Sequence, residues 1–302
     1  MHSHDHGHSH SAARFGRAFA VGITLNSGLV LAQVVFGLLA HSLSLLADAG
    51  HNLGDVLGLM LAWGAARLAT RAPSRRHTYG MRRSSILAAL LNAALLLIAT
   101  GAIAWEAVHR LQAPHPVGGK IVIVVALAGV AVNGLSALLF LKGRSEDLNI
   151  RSAFLHLVAD AGVSLAVAIA GLGILWTGWL WLDPVMSLMI AAVIAYGTWG
   201  LFRESLDMAL DAVPAGIDPA AIDTFLRGVA GVTSVHDLHI WPMSTCETAL
   251  TAHLIVPEGD FGDDAIASVC RMLHDRFGIE HSTLQIERGN GVAPCDRERA
   301  SV

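Results

Sequence analysis

The sequence predicts an α-helical membrane protein with six transmembrane helices, followed by a small α+β domain of αββαβ order. Three observations carry this expectation. The 302 residues are 54% hydrophobic and only 15% charged, against roughly 25% charged in soluble domains. Long apolar runs are confined to residues 15 to 208, whereas residues 211 to 302 carry most of the acids. Residues 218 to 288 then change rhythm: PAAIDTFLRGVAG reads as a helix, SVHDLHIWPM and ETALTAHLIVP as strands, GDDAIASVCRMLHDRFG as a helix stopped by Gly278, and STLQIER as a strand. The expected divisions are a disordered His-rich N-terminus over 1–13, a membrane domain over 14–208, a cytoplasmic domain over 209–290 and a flexible tail over 291–302.

The chain begins MHSHDHGHSH, with His2, His4, His6, His8 and His10 at alternate positions. Residues two apart do not share a helix face. With Ser, Gly and Asp as spacers, the stretch reads as a strip that gathers borderline metals through neutral imidazoles. A neutral low-complexity tail and a cloning remnant are the blander readings.

Six segments follow that each supply the ~20 predominantly apolar residues a bilayer core requires: 15–39, 44–68, 84–109, 117–141, 152–176 and 184–206. No cleavable signal peptide is expected, because the first apolar stretch is too long for one. Arg14, Arg17, Arg67, Arg71, Arg75, Arg76, Arg82, Arg83, Lys142, Arg144, Arg151 and Arg203 fall on one side of these spans, and Arg110 and Lys120 on the other. That bias places both termini in the cytoplasm. The outer loop TGWLWLD, with Trp176, Trp179 and Trp181, suits a membrane interface. Three scattered cysteines, Cys246, Cys270 and Cys295, suit a reducing compartment better than a disulfide framework.

The most informative residues are charges where charges are expensive. The second span reads SLSLLADAGHNLGDVLGLML and holds Asp48, His51 and Asp55; the fifth reads FLHLVADAGVSLAVAIA and holds His156 and Asp160. An ionisable group at a span's centre costs about 2.5 to 3.5 kcal/mol even on a lenient scale. His51 and Asp55 are four apart, as are His156 and Asp160, so each pair projects from one helix face. The two spans run in opposite directions, which sets His51 level with Asp160 and Asp55 level with His156. Asp55 lies roughly 16 Å below the outer boundary, close to the membrane's middle. Two imidazoles and two carboxylates form a set suited to tetrahedral Zn²⁺ and tolerable for Co²⁺ or Cd²⁺, whereas Mg²⁺ and Ca²⁺ require six or more oxygens. The rival structural reading, two hydrogen-bonded couples that fasten helices, explains one pair better than two matched ones. Asp48 reads either as a carboxylate orienting His51 or as a bond to a neighbouring helix. Asn26, Asn92 and Asn133 read as interhelical hydrogen bonders.

Metal and protons compete for these atoms, since a ligating imidazole must be neutral and both residue types take up protons when metal leaves. That competition is the chemistry of an antiporter, with helices rocking around a fixed midplane site.

At SLSLLADAGHNLGD, HLVADAGVS, VHDLHIW and LQIE the sequence resembles the cation diffusion facilitator family, in particular its zinc-transporting branch, over essentially the whole chain. The resemblance implies a homodimeric antiporter that exports divalent metal in exchange for protons, with His51, Asp55, His156 and Asp160 at the transport-site positions. Some relatives carry Asp where His51 stands, so the imidazole resembles the zinc-selective variant. His77, in RRHTYGMRR, matches a position near which some relatives bind a second metal, but Arg75 and Arg76 replace the acidic surroundings and no metal is assigned there. The tail is similar to a metallochaperone-like domain that dimerises. His236, His253 and Glu287 fall at the family's cytoplasmic metal positions. Gln285 stands where some relatives have a ligating His, and His281 is the residue that could substitute. His239 reads as a packing residue, Cys246 as a candidate thiolate ligand and Cys270 as core.

The function expected is therefore a bacterial inner-membrane exporter of Zn²⁺, with Cd²⁺ or Co²⁺ as alternatives. Its partners are metal ions, protons, lipid and a second copy of the chain; zinc is also expected as a regulatory ligand. No organic cofactor or nucleic acid is expected. Two rivals differ in class. An intramembrane metal-dependent hydrolase needs an open coordination position and a base such as the Glu of H-E-x-x-H, which no span contains. A membrane metal sensor would bind metal without net flux.

Overall fold

The computed structural model describes residues 9–141, 148–257 and 261–288. Six long helices come first: α1 (Ser9–Leu39), α2 (Leu43–Ala69), α3 (Ser84–Gln112), α4 (Gly119–Phe140), α5 (Leu148–Thr177) and α6 (Leu182–Ala209). The tail adds α7 (Pro219–Arg227), β1 (Ser234–Pro242), β2 (Thr248–Ile255), α8 (Asp263–Phe277) and β3 (His281–Glu287), which is the αββαβ order. Among the described residues α3, α4, α5 from Ala153 and α6 are long and apolar enough to cross a membrane, and α1 contributes a shorter apolar stretch, Ile23–Leu39. α1 begins at Ser9 rather than near residue 14, because Ala12, Ala13 and Arg14 are strong helix formers that extend it.

The chain forms two compact units: Met1–Met60 with Asn92–Gly200, and Leu61–Leu91 with Leu201–Val302. In the first, α4 packs most extensively on α5 and also on α1. Gly129 makes that approach possible, since a Cβ there would stand 2.7 Å from Ser164 Oγ. Small and β-branched residues fill the interior, including Ala47, Val122, Ala126 and Val167. Ile98, Ile169, Val193 and Tyr196 are exposed on the outside. Large apolar side chains facing outward on long helices are what lipid covers.

The N-terminal end of α2 is fixed by a residue from α6. Buried Asp183 accepts from Ser42 Oγ at 2.6 Å, Leu43 N at 2.7 Å, Ser44 N at 3.3 Å and Ser44 Oγ at 2.6 Å. These first-turn amides have no partner inside their helix, so a distant carboxylate does the work of a cap. Beside it, Trp179 and Trp181 stack at 5.7 Å.

Asn133 does not follow expectation. It is fully buried on α4, yet neither its Oδ1 nor its Nδ2 has a partner among the described residues, and nothing in the structure explains it.

In the second unit the sheet order is β1-β2-β3, with β1 and β2 antiparallel and β2 and β3 parallel. Asp218 caps α7 through Ala220 N, ahead of Pro219 at the first helical position. Gly278 ends α8 in the left-handed conformation, φ 67°, that a residue with a Cβ rarely adopts. Ile222, Leu226, Val269 and Leu273 from the two helices close one sheet face over Val235, Ile240, Leu250 and Leu254. The other face stays open. The loop between α2 and α3 joins this unit through Arg82 Nη1 to Glu247 Oε1 at 2.6 Å, Thr245 N to Ser85 Oγ at 3.1 Å, and an Arg83–Asp211 ion pair.

Candidate metal centre

Each pair of the second and fifth spans occupies one turn of its helix, and α2 and α5 present those turns to each other. His51 Nε2 lies 3.2 Å from Asp160 Oδ1, and His156 Nε2 lies 3.1 Å from Asp55 Oδ2 and 3.5 Å from Asp160 Oδ2. Each imidazole thus faces a carboxylate of the opposite helix. The imidazole rings meet edge-on with centroids 5.8 Å apart. One ligand atom from each of the four residues falls within 4.8 Å of all the others. In a tetrahedron with bonds of 2.0 to 2.1 Å, ligand atoms stand about 3.3 Å apart. The three ion-pair separations, 3.1 to 3.5 Å, bracket that spacing. Asp160 is 2% exposed and His156 47%, so the set is closed at one corner and open at another.

Asp48 belongs to a neighbouring network. Fully buried, it accepts from Gln33 Nε2 on α1 at 2.6 Å, from Ser164 Oγ on α5 at 3.0 Å and from Asn52 Nδ2 at 3.5 Å, while Asn52 also donates to Gln33 Oε1 at 3.2 Å. The helix-bonding reading describes it; the His51-orienting reading does not, because His51 Nδ1 has no hydrogen-bond partner among the described residues. Gln33 and Ser164 carry no sequence signal of this role, since neither is charged nor periodic with Asp48.

The open face of the tail's sheet holds a second cluster: His236, His253 and Glu287, again with ligand atoms within 4.8 Å of one another. His236 and His253 are direct cross-strand partners, and Glu287 lies two residues beyond Gln285, which is opposite His253. His253 Nδ1 is 2.9 Å from Glu287 Oε1, and His236 Nε2 is 3.5 Å from Glu287 Oε2.

Three expectations for the tail are corrected. His281 is not in this cluster: it begins β3 opposite Ala249, four residues and about 13 Å along the strand from Gln285, where its ring meets Tyr79 edge-on. Gln285 instead donates to Glu287 Oε1 at 3.0 Å. His239 is not a packing residue but 65% exposed, 3.0 Å from Asp237 Oδ1. The cause is a bulge between His236 and His239 that breaks the strand's alternation. Cys246 is exposed in the β1–β2 turn and, like His77, joins no ligating group among the described residues. Cys270 is partly buried. His2, His4, His6, His8 and Cys295 lie outside the described residues, and of His10 only the backbone, in the first turn of α1, is described.

Residues 19–208 match the family described as the cation efflux transmembrane domain, and residues 214–289 the one described as the cation efflux protein, cytoplasmic domain. The chain is 37% identical to zinc transporter ZitB of Escherichia coli over 92% of its own length and 87% of that protein. It is 31% identical to a cadmium, cobalt and zinc/H(+)-K(+) antiporter of Bacillus velezensis over 95% and 91%. The solved metal-bound C-terminal domain of the CzcD transporter from Cuprividus metallidurans is 32% identical, spans 24% of this chain and 99% of that one, and superposes with a TM-score of 0.23.

Proposed function

The chain belongs to the cation efflux, or cation diffusion facilitator, family, and from that premise we propose that it exports Zn²⁺ from the cytoplasm in exchange for protons. It is a multi-pass membrane transporter rather than an enzyme. The observation that carries the reading is the convergence of His51, Asp55, His156 and Asp160 on one point between two apolar helices. Zinc is the cargo these ligands suit, and Cd²⁺ and Co²⁺ fit the same two nitrogens and two oxygens. The names of the relatives, a zinc transporter and a cadmium, cobalt and zinc antiporter, support the same cargo.

Facing the cytoplasm, the four residues lose protons and take zinc; facing outward, protons displace it. The helices rock around the fixed site. The excess of Arg and Lys on one side supports a reading with both termini in the cytoplasm, in a bacterial inner membrane. There the strip from His2 to His10 gathers metal on the loading side, and the cluster of His236, His253 and Glu287 binds regulatory zinc on a domain that pairs two copies of the chain.

Proteoliposomes with an imposed pH gradient test the transport site. The parent chain accumulates Zn²⁺, whereas His51→Ala and Asp160→Ala chains lose at least ~90% of the flux, as expected when a four-ligand site drops to three. Parent-like flux in either variant refutes the site. Metal binding without flux in the parent refutes the transporter. Deleting residues 2 to 10 alters apparent affinity and preserves maximal flux.

A further inference from the structure

From the geometry of β1 we infer that Asp237 is a positioning residue for the cytoplasmic cluster: it accepts the Nε2 proton of His253, so that metal on the sheet takes His253 Nδ1. The inference rests on the reading of His236, His253 and Glu287 as a zinc site.

The backbone provides the first observation. Val235 and Ile240 are both buried in the domain core, yet they are five residues apart, and in a regular strand an odd separation puts side chains on opposite faces. The bulge between His236 and His239 supplies the extra residue that turns both inward. Its consequence is that His236, Asp237 and His239 are all exposed while Val235 and Ile240 are buried. Asp237 has φ 52°, in the left-handed region. Only Gly, Asn and Asp enter that region at low cost, so the position admits few side chains.

The second observation is where Asp237 sits. Its Oδ2 is 3.6 Å from His253 Nε2, and its Oδ1 is 3.0 Å from His239 Nε2. His253 is 15% exposed and has Glu287 Oε1 at 2.9 Å on its other nitrogen. The imidazole is therefore flanked by one carboxylate from within the ligand cluster and one from outside it. A neutral ring carries one proton and one lone pair. When Nδ1 gives its lone pair to metal beside Glu287 and His236, the proton resides on Nε2, where a few tenths of an ångström of movement completes a bond to Asp237. A carboxylate behind a ligating imidazole fixes its tautomer and orientation and raises its basicity.

The test uses the full chain with ¹⁵N-labelled histidine, titrated with Zn²⁺. The His253 ring signals are assigned by their loss in His253→Gln. In the parent, zinc moves the Nδ1 resonance and leaves Nε2 protonated. Asp237→Gly keeps the left-handed turn and removes the carboxylate; its His253 signal half-saturates at roughly 10- to 100-fold more zinc. Asp237→Asn, which restores an acceptor oxygen without charge, falls between. Metal on Nε2, or parent-like saturation in Asp237→Gly, overturns the positioning role. A His253 signal that ignores zinc altogether overturns the sheet site itself, and the role with it.

Discussion

His51 Nε2 stands 3.2 Å from Asp160 Oδ1, although 109 residues separate the two in sequence. Imidazole nitrogen favours borderline metals, whereas carboxylate oxygen favours harder ions, so exchanging the nitrogen at position 51 for oxygen leaves His156 as the cluster's one nitrogen. His51→Asp should therefore shift selection: Zn²⁺ flux falls, and Mn²⁺ flux relative to Zn²⁺ rises about tenfold or more. A metal panel in proteoliposomes measures the ratio. An unchanged ratio would show that position 51 does not set selectivity.

The same nitrogens set a pH dependence. A ligating imidazole must be neutral to bind metal, so protons compete with zinc for the lone pairs of His51 and His156. Acidification fills those lone pairs and weakens binding, and zinc affinity at equilibrium should fall by at least about tenfold from about pH 7.5 to about pH 5.5. His156→Ala should lower the number of protons released per zinc by about one. An affinity flat over that range would exclude both imidazoles as ligands.

The geometry of the membrane cluster was legible in sequence because a helix repeats every 3.6 residues and opposed spans match levels. His51, Asp55, His156 and Asp160 satisfy both constraints without knowledge of any other contact. Gln33, Ser164 and Asp183 were not legible, because their partners are set by tertiary packing between helices that sequence spacing does not relate. The tail misled for a different reason. Its alternating pattern is broken by one bulged residue, which reverses the face of everything after it. The odd spacing of Val235 and Ile240 is the trace of that bulge in the sequence.

Asp183 joins the start of α6 to the start of α2, and four donors depend on it. Asp183→Ala leaves the Ser42 and Ser44 hydroxyls and the Leu43 amide without their acceptor, at a cost of about 1–3 kcal/mol. The loss should be local. In hydrogen exchange, the amides of residues 43 to 46 should open faster in Asp183→Ala and largely recover in Asp183→Asn, which keeps one oxygen. Parent-like exchange there would mean that Ser42, whose Oγ accepts from Leu45 N at 3.2 Å, suffices as cap.

Asp48 sits three residues before His51, but its bonds run to Gln33 and Ser164, tying α1, α2 and α5 together. Its removal should therefore be felt as instability without metal, unlike removal of a metal ligand. Asp48→Ala strands the Gln33 amide and the Ser164 hydroxyl inside a buried contact. Each stranded donor costs about 1–3 kcal/mol where nothing compensates, and less where the unfolded helices find partners in lipid. The thermal midpoint of the chelator-treated chain should fall clearly in Asp48→Ala and by less in Asp48→Asn. Asp160→Ala, which removes a carboxylate facing two imidazoles rather than two helices' donors, should lose its stabilisation by zinc while changing the metal-free midpoint little. If Asp48→Ala melts like the parent in chelator but loses zinc protection, Asp48 acts on the metal cluster and not on the helix packing.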